Sequence, residues 1–385
     1  MTHHQKPFCD AMYRRLGEDF SFIAANKMEE ERKNMGWSTE ENKNEKIPYL
    51  SYYDDNAELA NKVITEADFA INGGLHGVYI RDRLKQKKPS FRYYERLYKT
   101  GTLRAYNPKT FFRNRREHTA YKNDPIYLLC AGGYVPYDFS IFGGYPNKML
   151  KWGYFTAKEE ESFSDILAKK EKHSILWTGR MLSWKHPEQV IFAALLLKGE
   201  NLDFHLTMIG EGEARPLVES LIKENGLEDY VTLLPFMKPE EVRAYMKKSE
   251  IYLLTSDFEE GWGAVLNEAM SSGCAVVASH AAGATSYLLP EDGLKGFIYS
   301  SGEVGELASD IYDLLEKEEK RINMAERAYE TMASLWSPEE AAERLLDFCD
   351  GLQKGEERFY SAGPMSRAEI LKPKKQFRGM WEMTE

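Results

Sequence analysis

The chain has 385 residues, 43% of them hydrophobic, and a formal net charge of −10. This length exceeds what one hydrophobic core usually serves, so we expect two globular domains. No apolar run reaches the ~18 residues that a membrane span needs, and the amino-terminal segment lacks the pattern of a signal peptide, so we expect a cytoplasmic protein. The four cysteines are widely spaced, without C-x-x-C pairs or histidines at ligand spacing, which predicts reduced thiols and no structural zinc.

The first half of the chain alternates short apolar runs with amphipathic stretches. Strands are predicted at 20–24, 47–52, 67–71, 90–94, 126–130 and 149–153, and helices at 8–16, 57–65, 78–85, 112–121 and 136–142. This alternation predicts an α/β domain with a mainly parallel sheet and helices on both faces.

Basic residues are concentrated between Arg81 and Lys122. This segment holds fourteen Lys and Arg against three acids, a net charge of +11, which leaves −21 elsewhere. Aromatic residues are interleaved with the charges. Such a segment fits contact with an anionic membrane or a polyanionic acceptor, and an ordinary solvated basic face is the alternative. Nucleic acid is not expected as a partner, because no recognised binding module accompanies the charge.

The second half is more regular. Residues 156–172, rich in Glu and Lys, form the best linker candidate, and strands are predicted near Ile175, Leu206, Val231, Tyr252, Val276 and Phe297. Their spacing of about 20–30 residues is what repeated βα units require.

Two cations follow the first strand of this half. The strand at 174–178 ends in Gly179 and Arg180, and Lys185 precedes a predicted helix at 187–196. Arg supplies a planar fork of donors and Lys a point charge, and each charge-assisted hydrogen bond to a phosphate is worth roughly 1.5–3 kcal/mol. The alternative is that both are ordinary loop charges.

The next strand, at 204–209, ends in Gly210 and Gly212 before a helix predicted at 214–224. The loop is similar to a dinucleotide-binding loop, but Arg215 occupies the position of the third glycine and no ribose-binding acid completes the pattern. NAD binding is therefore weakly supported.

The stretch from Ser256 to Met270 is the most informative in the chain. It follows a buried strand at 251–254 and leads into a helix at 264–272 that Gly273 ends. Glu260 and Glu268 stand eight residues apart around a Gly-x-Gly turn. The first amides of this helix have no internal partner and favour an anion such as a diphosphate, while the carboxylates can accept from sugar hydroxyls. Alternatively, Glu260 only interacts favourably with the positive end of the helix dipole, and Glu268 is a solvated surface charge.

Together these residues resemble the carboxyl-terminal half of glycosyltransferase family 4, retaining nucleotide-sugar enzymes of GT-B fold, over roughly residues 174–335. The resemblance implies two Rossmann-like domains that face an interdomain cleft, with an acceptor domain at 1–155 and a donor domain at 156–336. It also implies that 337–385, with a helix that Ser337 caps, returns to the first domain. The first strand of the acceptor domain is expected to be missing.

The resemblance also assigns roles to residues. Glu260 matches the carboxylate that contacts the donor sugar, Glu268 the one that binds the nucleoside ribose, and Arg180 and Lys185 the phosphate-binding pair. The remaining donor-binding positions are Gly179 and Gly210 in the glycine loops, Phe236 and Met237 near the base, Gly261, Trp262 and Gly263 near the sugar, and Val265 and Leu266 through their amides.

For the acceptor side, the family's usual histidine in the first domain is not matched. Glu95 and His76 are the candidates to orient an acceptor hydroxyl. No D-x-D pair occupies a plausible position for a divalent cation, so we expect neither a metal nor a cofactor apart from the nucleotide-sugar substrate.

The expected function is transfer of a sugar from a nucleoside diphosphate sugar to an acceptor hydroxyl, with retention. The expected acceptor is a sugar or a lipid-linked glycan, in bacterial-type cell-surface polysaccharide or glycolipid synthesis at the inner face of the membrane. A nucleotide-sugar 2-epimerase and a non-catalytic nucleotide-sugar-binding subunit are the alternatives. A phosphorylase is disfavoured, because no pyridoxal-phosphate lysine motif is evident.

Overall fold

The computed structural model describes residues 1–2, 4–27, 46–73, 77–289 and 292–373. The chain forms two compact units. The first contains Met1–Ala157 and Leu335–Lys372, and the second contains Lys158–Ser334.

The first unit contains two parallel sheets within its described ranges. A two-stranded sheet pairs β1 (Phe22–Ala24) with β2 (Tyr49–Ser51), and a four-stranded sheet has the order β3-β4-β5-β6. The strands of the larger sheet are β3 (Ala70–Gly73), β4 (Ser90–Tyr94), β5 (Ile126–Ala131) and β6 (Met149–Trp152). The helices up to the end of β6 are α1 (Lys6–Leu16), α2 (Ala57–Glu66), α3 (Arg81–Lys85), α4 (Pro108–Thr119) and α5 (Val135–Ser140). Every residue of β5 is buried, as expected for an interior strand covered on both faces.

Two helix predictions in this unit were wrong in detail. Helix α4 begins at Pro108 rather than at residue 112, because the Asn107 side chain accepts from the amides of Lys109 and Thr110 and proline favours the first helical turn. The predicted helix at 78–85 is divided into a 3₁₀ turn, Gly77–Ile80, and α3.

The basic segment 81–122 does not form one solvated face. Arg83, Arg92 and Arg96 are buried. Arg83 donates to four backbone carbonyls, Arg92 pairs with Glu117 at 2.7 Å, and Arg96 pairs with Asp138 at 3.2 Å. These three arginines satisfy internal acceptors, so they contribute no charge to an exterior patch.

The second unit is built on a parallel sheet of six strands in the order β12-β11-β10-β7-β8-β9. Its strands are β7 (Glu171–Thr178), β8 (His205–Ile209), β9 (Val231–Leu234), β10 (Ser249–Leu254), β11 (Ala275–Ser279) and β12 (Phe297–Tyr299). Its helices are α6 (Phe163–Leu167), α7 (Pro187–Gly199), α8 (Arg215–Glu224), α9 (Pro239–Lys248), α10 (Ala264–Ser271), α11 (Thr285–Leu288), α12 (Val304–Glu316) and α13 (Glu318–Ala333). Each of the six positions near which a strand was predicted in this half lies within an observed strand.

The linker prediction for 156–172 was wrong over most of its length. Helix α6 lies inside it and is capped by Ser162, whose hydroxyl accepts from the Asp165 amide, and β7 already begins at Glu171. Glu159 and Glu161 form ion pairs with Lys169 and Lys247. Composition alone cannot distinguish such paired charges from those of a solvated linker.

The chain returns to the first unit after α13. Helix α14 (Pro338–Gln353) packs against α1 through ion pairs that join Arg14 to Glu339 and Arg15 to Glu343. Beyond it, the chain runs along the edge of β6, where the Met365 amide donates to Lys151 and the Ala368 amide to Met149. This returning helix agrees with the GT-B expectation.

Candidate active site

The strand order of the second unit reverses between β7 and β10. From β7 the chain proceeds to β8 and β9 on one side, and from β10 to β11 and β12 on the other. In open α/β sheets, ligands bind outside the carboxyl ends of the strands at such a switch point. The loops that follow β7 and β10 carry the predicted cations and carboxylates, so the fold brings the main sequence motifs together.

Three hydrogen bonds hold these two loops together. The Trp177 indole donates to the Thr255 hydroxyl at 2.9 Å, and that hydroxyl donates to the carbonyl of Lys185 at 2.6 Å. The Asp257 amide donates to the carbonyl of Trp184 at 3.0 Å. Both loops are therefore fixed by backbone and buried side-chain contacts.

Lys185 and Glu260 form an ion pair across this junction. The ammonium of Lys185 contacts Oε2 of Glu260, and the Ser256 hydroxyl donates to the same oxygen at 3.1 Å. The Lys185 and Glu260 side chains are only 14% and 13% exposed. The Lys185 ammonium also lies 4.6 Å from the centre of the Trp184 ring. A cation and a carboxylate are thus fixed beside each other at the carboxyl edge of the sheet.

His186 joins the same loops and was missed by the sequence analysis. Its Nδ1 lies 2.9 Å from Glu188 and its Nε2 lies 3.3 Å from Asp257. Because both nitrogens face carboxylates, both donate and the ring is an imidazolium. Burial alone would lower the pKa of His186, but the hydrogen bonds to Asp257 and Glu188 outweigh it and raise the pKa to about 9.

The turn before α10 has the form that the Gly-x-Gly motif predicts. Gly263 has a φ of +92°, which favours glycine, and a Cβ there would lie 3.4 Å from the Glu260 side chain. The first amides of α10, at Ala264 and Val265, have no acceptor inside the helix. The Leu266 amide donates to the carbonyl of Gly263, so the expectation that it serves a phosphate is corrected.

Trp262 has a different position from that of a sugar-contacting side chain. It is 1% exposed, and its indole donates to the Asn267 side chain at 2.8 Å. Its carbonyl accepts from the Ala284 amide. The buried indole therefore anchors the turn. The expectation that the Trp262 side chain contacts the sugar is wrong, and of this turn only Gly261 and Gly263 remain predicted to lie near the sugar.

Glu268 is not a solvated surface charge. Its side chain is 13% exposed, and the one cation near it is Arg243, at 3.8 Å, among the described residues. Burial raises the pKa of Glu268, and Arg243 only partly opposes that effect. Because Arg243 lies beyond hydrogen-bond distance, this mostly buried carboxylate can accept hydrogen bonds from ligand hydroxyls.

The glycine loops after β7 and β8 pack backbone to backbone. A Cβ on Gly210 would collide with the carbonyl oxygen of Gly179, and one on Gly212 with that of Met181. Arg215, which replaces the third glycine of the dinucleotide pattern, donates to the carbonyl of Gly210 at 2.8 Å. These glycines are needed for close loop packing, and the loop that they support carries Arg180, which is exposed.

Two further predicted residues follow β9. Phe236 is 50% exposed and Met237 is partly buried. An exposed aromatic ring at the carboxyl edge of the sheet is available for stacking, which keeps the prediction of a base contact open.

The acceptor candidates belong to the first unit. Glu95 follows β4 and is engaged on both oxygens, by the Tyr154 hydroxyl at 2.8 Å and by the Lys99 ammonium at 2.6 Å. His76 lies outside the described residues. Among the described residues, no group of three or more His, Cys, Asp or Glu side chains is arranged to hold a metal ion. No helix in the described part of the chain is long and apolar enough to cross a membrane.

Comparison with known proteins shows what the second unit is similar to. Residues 158–331 match the family model described as "Glycosyl transferases group 1", which covers nearly all of the second unit. Alpha-D-kanosaminyltransferase of Streptomyces kanamyceticus is 33% identical over 171 residues, 44% of each chain. D-inositol 3-phosphate glycosyltransferase of Corynebacterium kroppenstedtii is 29% identical over 189 residues, 47% of this chain and 41% of that protein. The matches thus span less than half the length of these relatives.

Solved structures match over more of the chain. Anabaena Alr3699/HepE in complex with UDP has a TM-score of 0.65 at 17% identity, over 89% of this chain and 95% of that one. TarM has a TM-score of 0.59 at 15% identity, over 78% of this chain and 57% of that one. The fold is that of the GT-B glycosyltransferases. The predicted fold class is therefore confirmed, and the ion pair of Lys185 and Glu260 lies within the part of this GT-B chain that matches the family model.

We expect His186→Asn to destabilise this GT-B chain in a pH-dependent way. Asn tolerates the left-handed backbone at this position (φ +50°) but removes the charge. Because the folded pKa of about 9 exceeds the unfolded value of ~6.5, the stabilisation is fully present below pH ~6.5 and is lost as pH rises through 9. Urea unfolding should show a loss of about 3 kcal/mol at pH 6 that shrinks toward pH 10.

His173→Asn is the matched control for this experiment. His173 also has a left-handed backbone (φ +58°) and a carboxylate partner, Asp203, which is 94% exposed. Such a surface pair contributes ~0–1 kcal/mol, so little change is expected. A pH-independent effect of His186→Asn, equal to that of the control, would contradict the imidazolium assignment.

We expect Glu268→Gln to stabilise the protein in the absence of ligand. The raised pKa of Glu268 means that its ionised form is disfavoured by folding, so removing the charge stabilises at neutral pH. This advantage should vanish as pH falls through the folded pKa, because the wild-type carboxyl then becomes neutral. Thermal unfolding from pH 4 to pH 8 measures it. Glu219→Gln, which changes a glutamate that is 53% exposed beside Arg215, should show no such trend.

Proposed function

We propose that this chain is a retaining glycosyltransferase that moves a sugar from a nucleoside diphosphate sugar to an acceptor hydroxyl. The observation that carries this proposal is the fixed pair of Lys185 and Glu260 beside the amino terminus of α10, with the mostly buried carboxylate of Glu268 about one helical turn along α10. The cation and the helix terminus suit the phosphates of a nucleoside diphosphate sugar. The two carboxylates suit its sugar and its ribose. The family match over residues 158–331 supports the same conclusion.

Donor binding requires a change in the partners of Lys185. Its ammonium contacts Glu260, and a diphosphate would compete for it. Ser256 continues to donate to Glu260 and keeps the carboxylate oriented while the sugar hydroxyls arrive. Arg180, exposed at the end of β7, supplies the second cation for the phosphates.

The chemical step separates charge. As the anomeric bond breaks, negative charge accumulates on the departing diphosphate, and Lys185, Arg180 and the amides of α10 stabilise this charge more in the transition state than in the ground state. In this proposal these groups act without a metal ion. Glu260 accepts hydrogen bonds from the sugar hydroxyls and aligns the anomeric carbon. Retention enters through the family resemblance, because no covalent nucleophile is identified.

The acceptor class is proposed from the relatives and from the first unit. One relative, 31% identical over 149 residues, is named amylovoran biosynthesis glycosyltransferase AmsK of Erwinia amylovora. In line with that name, the acceptor that we propose belongs to cell-surface polysaccharide or glycolipid synthesis in the cytoplasm. Glu95, held by Tyr154 and Lys99, remains the candidate to orient the acceptor hydroxyl.

Two alternatives make different predictions. A nucleotide-sugar 2-epimerase would convert the donor in the absence of any acceptor. A non-catalytic binding subunit would bind the donor and show no turnover with any acceptor. Incubation of the donor alone, followed by analysis of the sugar product, distinguishes the first alternative from transfer.

The first experiment is thermal stabilisation by a panel of UDP-, GDP-, ADP- and CMP-sugars. A ligand at 100 times its dissociation constant adds about 2.7 kcal/mol to the free energy of unfolding. A shift that is selective for one base identifies the donor, and Glu268→Gln should lose much of that shift despite its higher stability without ligand. The absence of a shift with every donor, in protein that unfolds cooperatively, would refute the proposed donor site.

Substitutions at Glu260 and Arg180 should separate chemistry from binding. Glu260→Gln should lower kcat for transfer roughly a hundred-fold, because its contact matters most in the transition state, and should leave nucleotide affinity within about threefold. Arg180→Ala removes one phosphate contact and should weaken nucleotide binding about ten-fold or more as well as transfer. Titration calorimetry with the nucleoside diphosphate and a transfer assay measure the two effects.

Glu259→Gln is the control for this pair, because Glu259 lies on the same turn, is partly buried, and is assigned no donor contact. It should behave like the wild type in both assays. Near-wild-type kinetics for both Glu260→Gln and Arg180→Ala would refute the site assignment.

A further inference from the structure

The carboxyl-terminal half of the basic segment has a surface that glycosyl transfer does not explain. We call it the 103–116 surface; its exposed residues are Leu103, Arg104, Tyr106, Lys109, Phe112, Arg113, Arg115 and Arg116. It belongs to the first unit, outside the residues that match the family model.

The apolar residues of this surface are unusually exposed. Leu103 is 85% exposed, Phe112 is 66% exposed and Tyr106 is 65% exposed. These are the three highest values for large hydrophobic side chains in the described part of the chain. Single exposed apolar residues are common, but three within ten positions indicate a surface that something else covers.

Local structure directs these side chains outward. Leu103 and Tyr106 are three residues apart in the 3₁₀ helix Thr102–Tyr106, so they lie on the same side. In α4, Asn114 and His118 are buried on the inner face, whereas Phe112 lies in the exposed row with Arg115 and Arg116. The fold therefore places the exposed ring of Phe112 next to the cationic side chains of Arg115 and Arg116.

The cations of this surface have no internal partners of opposite charge. From Arg96 to Arg116 the sequence contains no acidic residue. None of the five exposed cations between Arg104 and Arg116 forms an ion pair with a carboxylate of the described chain, whereas Arg92 and Arg96, earlier in the same segment, are buried and paired. The unpaired positive charge of the segment is thus concentrated around Leu103, Tyr106 and Phe112.

We propose that the 103–116 surface docks the protein on an anionic lipid bilayer. Leu103, Tyr106 and Phe112 would enter the boundary between headgroups and acyl chains, and the arginines and Lys109 would contact lipid phosphates. A basic face with aromatic and aliphatic side chains fits this interface, where apolar burial and charge attraction act together. This contact would place the first unit at the membrane, independently of which donor the second unit binds.

Flotation of the full chain with lipid vesicles tests the proposal, without donor or acceptor. Wild-type protein should bind vesicles of phosphatidylcholine with 30% phosphatidylglycerol, a composition chosen at roughly one anionic lipid in three, and bind pure phosphatidylcholine at least ten-fold more weakly. Replacing both Arg115 and Arg116 with Gln should reduce partitioning roughly thirty-fold, at ~1 kcal/mol for each cation. Leu103→Ser with Phe112→Ser should reduce it at least ten-fold at constant charge.

The matched control is Leu217→Ser with Lys223→Gln on α8, which changes an exposed leucine and an exposed lysine of the second unit. This variant should bind vesicles like the wild type, and all variants should keep the wild-type melting temperature. The proposal is overturned if the wild type fails to bind anionic vesicles or if the control weakens binding as much as the test variants. It is also overturned if the 103–116 variants instead abolish self-association or oligonucleotide binding while vesicle binding is unchanged.

Discussion

The contact between the loops after β7 and β10 is the constraint on which the candidate site depends. These strands are parallel neighbours, but their last residues, Thr178 and Leu254, are 76 positions apart in the sequence, so neither loop alone contains a site. The Thr255 hydroxyl, which accepts from Trp177 and donates to the carbonyl of Lys185, fixes one backbone relative to the other. The resulting geometry brings a cation from one loop and a carboxylate from the other into contact, so the positions of both groups are fixed by the fold.

The charges at this junction are arranged so that each carboxylate has a different environment. Asp257 is held by the His186 imidazolium and Glu260 by Lys185, whereas the cation nearest to Glu268 in the described chain is Arg243, at 3.8 Å. Burial raises the pKa of Glu268 and so disfavours its charged form. A ligand that donates hydroxyl hydrogen bonds stabilises this carboxylate, so part of the binding free energy offsets a cost already present in the folded protein.

Much of this arrangement was predictable, because its signals are local. The strand-to-helix turn at Gly263 and the position of α10 follow from the glycines and the apolar runs. The common role of Lys185 and Glu260 followed from the family resemblance, and their ion pair was not predicted. The role of His186 was not predictable, since its partner Asp257 is distant in sequence and an isolated loop histidine has no distinguishing pattern. The burial of Trp262 was missed for a related reason: a tryptophan between two glycines looks exposed until the Asn267 side chain that accepts its indole N–H is known.

The basic segment shows where composition alone misleads. A net charge of +11 over 81–122 predicts one continuous positive face, yet folding turns Arg83, Arg92 and Arg96 inward to carbonyls and carboxylates. Buried arginines of this kind stabilise loops and helix ends, and they cannot attract a partner through solvent. What remains outside is a smaller surface in which the charge and the apolar side chains coincide around Phe112. The segment therefore serves two purposes, internal bonding near β4 and an exposed cationic face on α4, and only the structure separates them.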